Sequence, residues 1–542
     1  MRYNESPSKR PRMVVEHHYP QHPSPKTIVS SIHQAVTASQ RFEILNHLFQ
    51  IIKYDPWNRS CQSDPQIFMS LIERGVVNAL CVQLGFVLHR HGSPREEIES
   101  ICTAMDIFYR FSPDLVSEQS LRVNGRELFR LLPEAIRRGA RLPVISIWHS
   151  CSSSGVGTDL LLEQSSFLRS IGELFRQGIS DPDESLEILG LLKNITYHGE
   201  DFRQRLIEQP GILSSLTSFT ETELHEKGQE RLSAVIRNLA MSFHTRVVLA
   251  QRADVLTCIV RLSTNATQQT LRNLLNTLVS LAMDGDSCLL LVFHGDGMLI
   301  ELLKRFLLHE DDYIVRKRAA RTLRLLARES SVSLMINDNK LMDILSSRAL
   351  HDSSNEVRAE AAEAFARCAG LIKAAMAQHD AVLEALSHLA SSPHVQADVM
   401  ARAVKQQACH PENRVPLAKH GKLLMALCKI AVCPKASAVA KENVCNTFLD
   451  LSADERSREA IATQTTLDAL VHNAEDRIER HASVREAAVK TLLNLAVHPE
   501  NRKSMAKQSR LIQSLLHFAA NTTEDELKKK TKLVLLKLAA EL

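Results

Sequence analysis

The chain has 542 residues, 44% of them hydrophobic and 5% aromatic, and a formal charge of 66 − 62 = +4. That apolar fraction suffices for a continuous core, whereas balanced charge and few aromatic rings argue against a nucleic-acid platform built on phosphate neutralisation and base stacking. Eleven cysteines are scattered singly and Cys428 and Cys433 lack C-x-x-C spacing, so no zinc or redox motif is recognisable and buried, reduced thiols are expected.

In chain order, residues 1–27 form a Pro- and His-rich segment expected to be a disordered tail. Within it, Lys9, Arg10 and Arg12 form a short basic run resembling a nuclear-import signal. Helical patterning is expected from Ile28, and residues 28–130 read as atypical N-terminal repeats interrupted by an insertion from Tyr54 to Pro65 that contains Trp57. Residues 131–523 carry a regular array, and 524–542 a lysine-rich amphipathic capping helix. No apolar run reaches the roughly 18–20 residues that span a bilayer, and no apolar signal core opens the chain, so a cytoplasmic or nuclear location is expected.

The array is defined by one recurring pattern. Two apolar residues, a polar one, a variable "slot" residue and Leu-Ala or a variant return every 39–45 residues, with slots at Ser150, Asn194, Asn238, Ser280, Leu325, Arg367, Gln406, Asp450, Asn494 and Lys537. Weaker slots precede them at Gln50 and Arg110. A fixed period of this size means one supersecondary unit stacked many times. After the slot, His410-Pro411-Glu412-Asn413-Arg414 and His498-Pro499-Glu500-Asn501-Arg502 combine a helix stop with a new helix start. A leucine-rich helix follows, as in Gly421-Lys422-Leu423-Leu424-Met425-Ala426-Leu427.

These motifs resemble the armadillo-repeat family over about residues 130–540, best at 188–217, 403–427 and 488–516. Val315-Arg316 and Val357-Arg358, with Asp352 six residues before Arg358, resemble HEAT repeats instead. The resemblance implies an all-α, right-handed α-solenoid of about ten to twelve three-helix repeats. It also implies that the slot helix lines a concave groove that holds extended segments of partner proteins.

Helical geometry tests that groove independently. At about 100° per residue, positions seven and four before the slot and three after it share the slot's face, while positions two before and one after turn away. The latter are apolar: Leu192 and Ile195, Ile236 and Leu239, Leu323 and Leu326, Leu492 and Leu495. The slot face is mostly polar, and it supplies the candidate binding residues Asn194, Asn238, Asn273, Asn276, Arg318, Arg321, Arg328, Arg402, Gln406, Asn443, Asn446, Lys490 and Asn494. An asparagine side chain can donate to one backbone group of a ligand and accept from another. Importin-α-like members have a nearly continuous asparagine ladder with tryptophans four residues earlier; here those positions are Gly190, Ala234 and Lys490, which counts against that mode. Arg318, Arg321 and Arg328, with Arg316, Lys317 and Arg324 nearby, suit carboxylate or phosphate, unless they pair with Glu360 and Glu363 on the next slot helix.

Ser152–Thr158 has loop composition but no P-loop lysine, and no catalytic constellation, metal set or cofactor motif is recognisable. The expected function is a non-enzymatic scaffold or adaptor, without cofactor, holding an extended acidic or phosphorylated segment of a partner protein. The alternatives are a nucleocytoplasmic transport receptor and a regulatory domain for a nucleotide or phosphoinositide. The sequence sets no oligomeric state.

Overall fold

The structure, a computed structural model, describes residues 24–55, 60–61, 64–90, 92–117, 125–221, 224–328, 331, 335, 339–371, 380–391, 397–475, 482–523 and 525–541. Lys9, Arg10, Arg12 and Trp57 lie outside them. The first described helix, Pro25–Gln34, opens ahead of Ile28 because Ser24 caps it by accepting from the Thr27 amide, and Pro25 occupies the first turn.

The helices fall into two units, Met1–Ser215 and Leu216–Leu542. In the first, the slot helices Ala38–Ile51, Arg95–Phe111, Arg141–Cys151 and Pro182–His198 pack each on the next. Behind them Pro25–Gln34, Val76–His89, Gly125–Arg137 and Ser165–Gln177 form a second ladder. In the second unit the slot ladder runs Glu226–Leu239, Gln268–Ala282, Tyr313–Leu326, Asn355–Gly370, Ala397–Ala408, Ala438–Ala453, Ala482–Leu495 and Asp525–Ala539. Its second ladder runs from Ala253–Leu262 to Ser509–Asn521. Short helices such as Phe243–Ala250, Pro411–Lys419 and Pro499–Ala506 complete three-helix repeats. Of the two HEAT-like units, that of Val357-Arg358 has two helices among the described residues, Asn339–His351 and Asn355–Gly370; that of Val315-Arg316 keeps a third, Gly285–Phe293.

The insertion after Ala38–Ile51 forms a two-residue hairpin, with Tyr54 opposite Cys61 and Asp55 opposite Ser60. No single helix among the described residues is long and apolar enough to cross a membrane. The bent pair Pro65–Glu73 and Val76–His89 has the apolar content, but Phe68, Leu71, Ile72, Val76 and Leu80 are core residues.

The core follows the wheel. Leu192, Ile195, Ile236, Leu239, Leu323, Leu326, Leu492 and Leu495 are all buried. Trp148, two before the slot at Ser150, is also buried, edge-on to Phe167 with ring centroids 5.1 Å apart. Burial pushes the thiols of Cys151, Cys258, Cys368 and Cys445 up to about 12, and the described cysteines form no disulfide. The Ser152–Thr158 stretch is a helix start: Ser154 caps Gly155–Glu163, and a side chain on Gly157 would put its Cβ 2.3 Å from the Cys151 carbonyl oxygen. Glycine is required there by close backbone approach.

Candidate functional site

The slot face is built from three kinds of contact, and each removes certain side chains from ligand duty. The first closes the slot helix. Its last carbonyls lack intrahelical partners and carry the negative end of the helix dipole. An arginine from the following short helix donates to them: Arg203 to Thr196 O at 2.9 Å, Arg414 to Ala408 O at 3.1 Å, Arg458 to Ser452 O at 2.8 Å and Arg502 to Val497 O at 3.0 Å. This explains the arginine of the Glu-Asn-Arg motif. The asparagine before it is buried, Asn413 donating to Gln407 and Asn501 to the Arg458 carbonyl.

The repeat with slot Ser280 has Cys288 in the arginine's place, its Sγ 3.4 Å from Ala282 O. Here Arg328 of the next repeat reaches back, donating Nη2 to Met283 O at 3.3 Å. Arg328 therefore donates to a carbonyl at the end of the neighbouring slot helix.

The second contact joins slots. Asn194 donates Nδ2 to Ser152 Oγ and Asn494 donates Nδ2 to Ser452 Oγ, both at 3.0 Å. Each serine donates onward to a carbonyl of its own helix, His149 O or Leu449 O, at 2.7 Å. Both asparagines thus tie adjacent repeats together rather than presenting free donors in a ladder. An Asn494→Ala and Ser452→Ala double-mutant cycle should give a coupling of about 0.5–1.5 kcal/mol in urea unfolding. A coupling near zero would show that the bond contributes nothing.

Two further candidates are corrected by burial. Asn238 is 1% exposed and accepts from Arg237 Nη2 at 2.9 Å. Asn273 is 2% exposed; it donates to Ser233 Oγ at 3.1 Å and accepts from Arg237 Nη1 at 2.9 Å and Gln269 Nε2 at 3.2 Å. Its position seven residues before the slot meets the preceding slot helix instead of solvent.

The third contact pairs charges across slot helices. Arg316 Nε lies 2.7 Å from Asp352, Lys317 Nζ 2.6 Å from Glu356, and Arg324 Nε 2.7 Å from Glu360. Glu363 takes Arg324 and Arg367 at 3.6 and 3.1 Å. Arg272 pairs with Asp312 at 2.8 Å. The acids expected as partners for the slot-face arginines are therefore engaged by Arg324 and Arg367.

Arg318 and Arg321 are left on the face of Tyr313–Leu326. Both are half-buried, and among the described residues neither has a carboxylate within ion-pair distance. Arg318 Nη1 donates to Arg272 O at 3.1 Å, while Arg321 Nε is buried without a hydrogen-bond partner. Burial first, then the charge of Arg272, opposed by Asp312 and reinforced by Arg237, holds the Arg318 guanidinium below its ordinary pKa. The local field at Arg318 is cationic and one buried donor of Arg321 is unsatisfied, so an anionic acceptor would be favoured here.

Along the same unit, Asn276, Asn443 and Asn446 are half-buried, Lys490 is held by Glu486 at 2.6 Å, and Arg402 and Gln406 are exposed. In the first unit Arg110 donates Nε to Asp106 at 3.1 Å and to Ser146 at 3.0 Å, and His149 Nδ1 lies 2.7 Å from Glu187. Sequence reasoning missed Arg272 and Arg237 as parts of the cationic field. Their place on adjacent slot helices was the available signal.

No family model matches the chain, and no curated protein matches it. Among solved structures, one whose subject is a conserved phosphorylation switch controlling the interaction between cadherin and β-catenin aligns with a TM-score of 0.60. The alignment has 13% identity and covers 94% of this chain and 100% of that one. An engineered protein aligns over 95% of this chain and 98% of its own at 15% identity, but its TM-score of 0.38 is too low to bear on the fold. Since β-catenin is an armadillo-repeat protein, the likeness identifies the fold as an all-α solenoid of armadillo type.

Proposed function

We propose that this protein is a non-enzymatic armadillo-type scaffold whose slot face holds an extended acidic or phosphorylated segment of a partner protein. The observation that carries the reading is Arg318 and Arg321: adjacent turns of one slot helix, with no acidic partner among the described residues and one buried donor unmet there. Successive slot helices about 8–10 Å apart match roughly three residues of extended chain at about 3.3 Å each, so a segment can meet one slot helix after another. A reducing compartment, cytoplasm or nucleus, accords with described cysteines that form no disulfide.

The test is fluorescence anisotropy with an Asp/Glu-rich decapeptide and its phosphoserine version, at two salt concentrations. Charge-assisted hydrogen bonds contribute about 1.5–3 kcal/mol, so Arg318→Glu with Arg321→Glu should weaken binding by roughly tenfold or more per arginine, with helix content unchanged. Arg328→Glu should retain the wild-type affinity, because that side chain caps a helix. Equal binding by wild type and the double variant would sink the proposal.

A further inference from the structure

The helix Asp525–Ala539 has a side that the arginine pair does not use. Its inner side is packed: Leu527, Thr531, Val534 and Leu538 are buried where the helix meets Ala482–Leu495, Pro499–Ala506 and Ser509–Asn521. The opposite side carries Lys529, Leu533 and Leu536, which lie within about 60° of one another at about 100° per residue, with Lys532 and Lys537 on the flanks. Leu533 is 44% and Leu536 69% exposed. Leu536 stands one residue before the slot, the position of Val279 and Ala366 in earlier repeats, and both of those are buried where the next slot helix packs. Among the described residues no helix covers Leu536 in this way.

The same repeat holds the charge. Residues 499–542 contain nine basic and five acidic residues, 9 − 5 = +4, so the remaining residues sum to zero. Glu500, Glu526 and Glu541 are engaged by Lys503, Lys530 and Arg502 at 3.0, 3.2 and 2.7 Å. Among the described residues Lys507, Arg510, Lys528, Lys529, Lys532 and Lys537 have no carboxylate within ion-pair distance. Five of these six are lysines, hydrated point charges on flexible stems that impose no fixed geometry on an anion, unlike the planar fork of arginine. A fluid array of anionic headgroups meets such charges at any spacing. Lysine stems also lie along an interface while leucines between them enter it. A second copy of the chain, placed here about a twofold axis, would instead set Lys529 and Lys532 against like charges.

We propose that this side of Asp525–Ala539 docks on the surface of an anionic lipid bilayer. Leu533 and Leu536 enter the headgroup boundary, and Lys529, Lys532 and Lys537 meet the lipid anions around them. At 15 residues the helix lies on the bilayer and does not cross it.

The experiment is co-sedimentation of the full chain with vesicles of phosphatidylcholine alone and with about one-third phosphatidylserine, at two salt concentrations. Binding should require phosphatidylserine and weaken with salt. Each lysine near such a surface contributes roughly fivefold in affinity, so Lys529→Glu with Lys532→Glu should weaken binding roughly 25-fold or more. Leu533→Ser with Leu536→Ser should weaken it roughly tenfold. All four side chains are exposed, so the melting temperature should not change. If the leucine variant does melt earlier, Leu536→Trp decides: its emission should move to shorter wavelength on phosphatidylserine vesicles only. The Arg318→Glu, Arg321→Glu variant should sediment as the wild type does, which separates this face from the arginine pair.

Equal sedimentation with both kinds of vesicle, or with neither, overturns the proposal. Binding that survives the lysine variant, or that is lost with the Arg318→Glu, Arg321→Glu variant, overturns its assignment to this helix. An unshifted tryptophan on vesicles that do bind overturns the entry of the leucines. Capture of an Asp/Glu-rich decapeptide through Lys529 and Lys532, without vesicle binding, assigns the side to an acidic protein and overturns the lipid reading.

Discussion

Replacing Asp352 by alanine should destabilise the second unit by about 3–5 kcal/mol, the cost of leaving a buried charge without its partner. The Asp352 side chain is fully buried and receives Arg316 through two parallel bonds, Nε to Oδ2 at 2.7 Å and Nη2 to Oδ1 at 3.1 Å. Arg348 approaches at 3.5 Å, and the Ser354 amide donates to Oδ1 at 2.9 Å. Alanine removes all of these and strands the Arg316 guanidinium, itself 5% exposed, in the interior. Asparagine should cost less, since it keeps an acceptor for the Ser354 amide. Urea unfolding at neutral pH measures both; a loss under about 1 kcal/mol for alanine would show that water reaches Arg316 freely.

The same carboxylate gives a pH dependence of defined sign. Burial raises its pKa, but the Arg316 hydrogen bond, the Ser354 amide and the charges of Arg316 and Arg348 together outweigh burial and hold it below the ordinary range. A depressed folded pKa contributes stability that is fully present above the unfolded value of about 3.9 and is lost as pH falls through the lower folded value. The stability gap between wild type and Asp352→Asn should thus be constant at neutral pH and shrink below about pH 4.

Trp148→Ala is the corresponding prediction for the first unit, at about 3–5 kcal/mol. Trp148 is 1% exposed and stands edge-on to Phe167, at an interplanar angle of 87°. Because repeats contact mainly their neighbours, faster hydrogen exchange should be confined to the helices flanking Arg141–Cys151. Uniform acceleration across the whole unit would show that its repeats unfold as a single body.

The fold was legible because its signal is local and repeated. The apolar residues around Asn194, Asn238 and Asn494 declare a buried stripe from one helix alone, and Pro411 and Pro499 mark the breaks. The site was legible only in part, because a side chain's task depends on what arrives from a helix some 36–46 residues away. Arg316, Arg318, Arg321 and Arg324 lie within three turns of one helix, yet among the described residues two are paired with carboxylates and two are not. The difference is set by where Asp352, Glu360 and Glu363 fall on the next elements. Arg328 likewise depends on what lies on a neighbouring helix, since it reaches Met283 O in the repeat that carries Cys288. Asn273 shares the slot's face on an isolated helix and loses its exposure only when Arg237 and Ser233 close over it.

The two asparagine–serine links also govern which repeats can stand next to each other. An arginine that closes its own repeat travels with that repeat wherever it is moved. The Asn494–Ser452 bond does not, because its halves come from different repeats. A chain shortened by one period, joining the Asn494 repeat to the one with slot Gln406, would set Asn494 against Ala408 and leave its amide without the hydroxyl. Duplication of the Asp450 repeat would instead set Asp450 of the second copy opposite Ser452 of the first. The array is therefore less interchangeable than its period suggests, and its length is constrained by pairs of residues a full repeat apart.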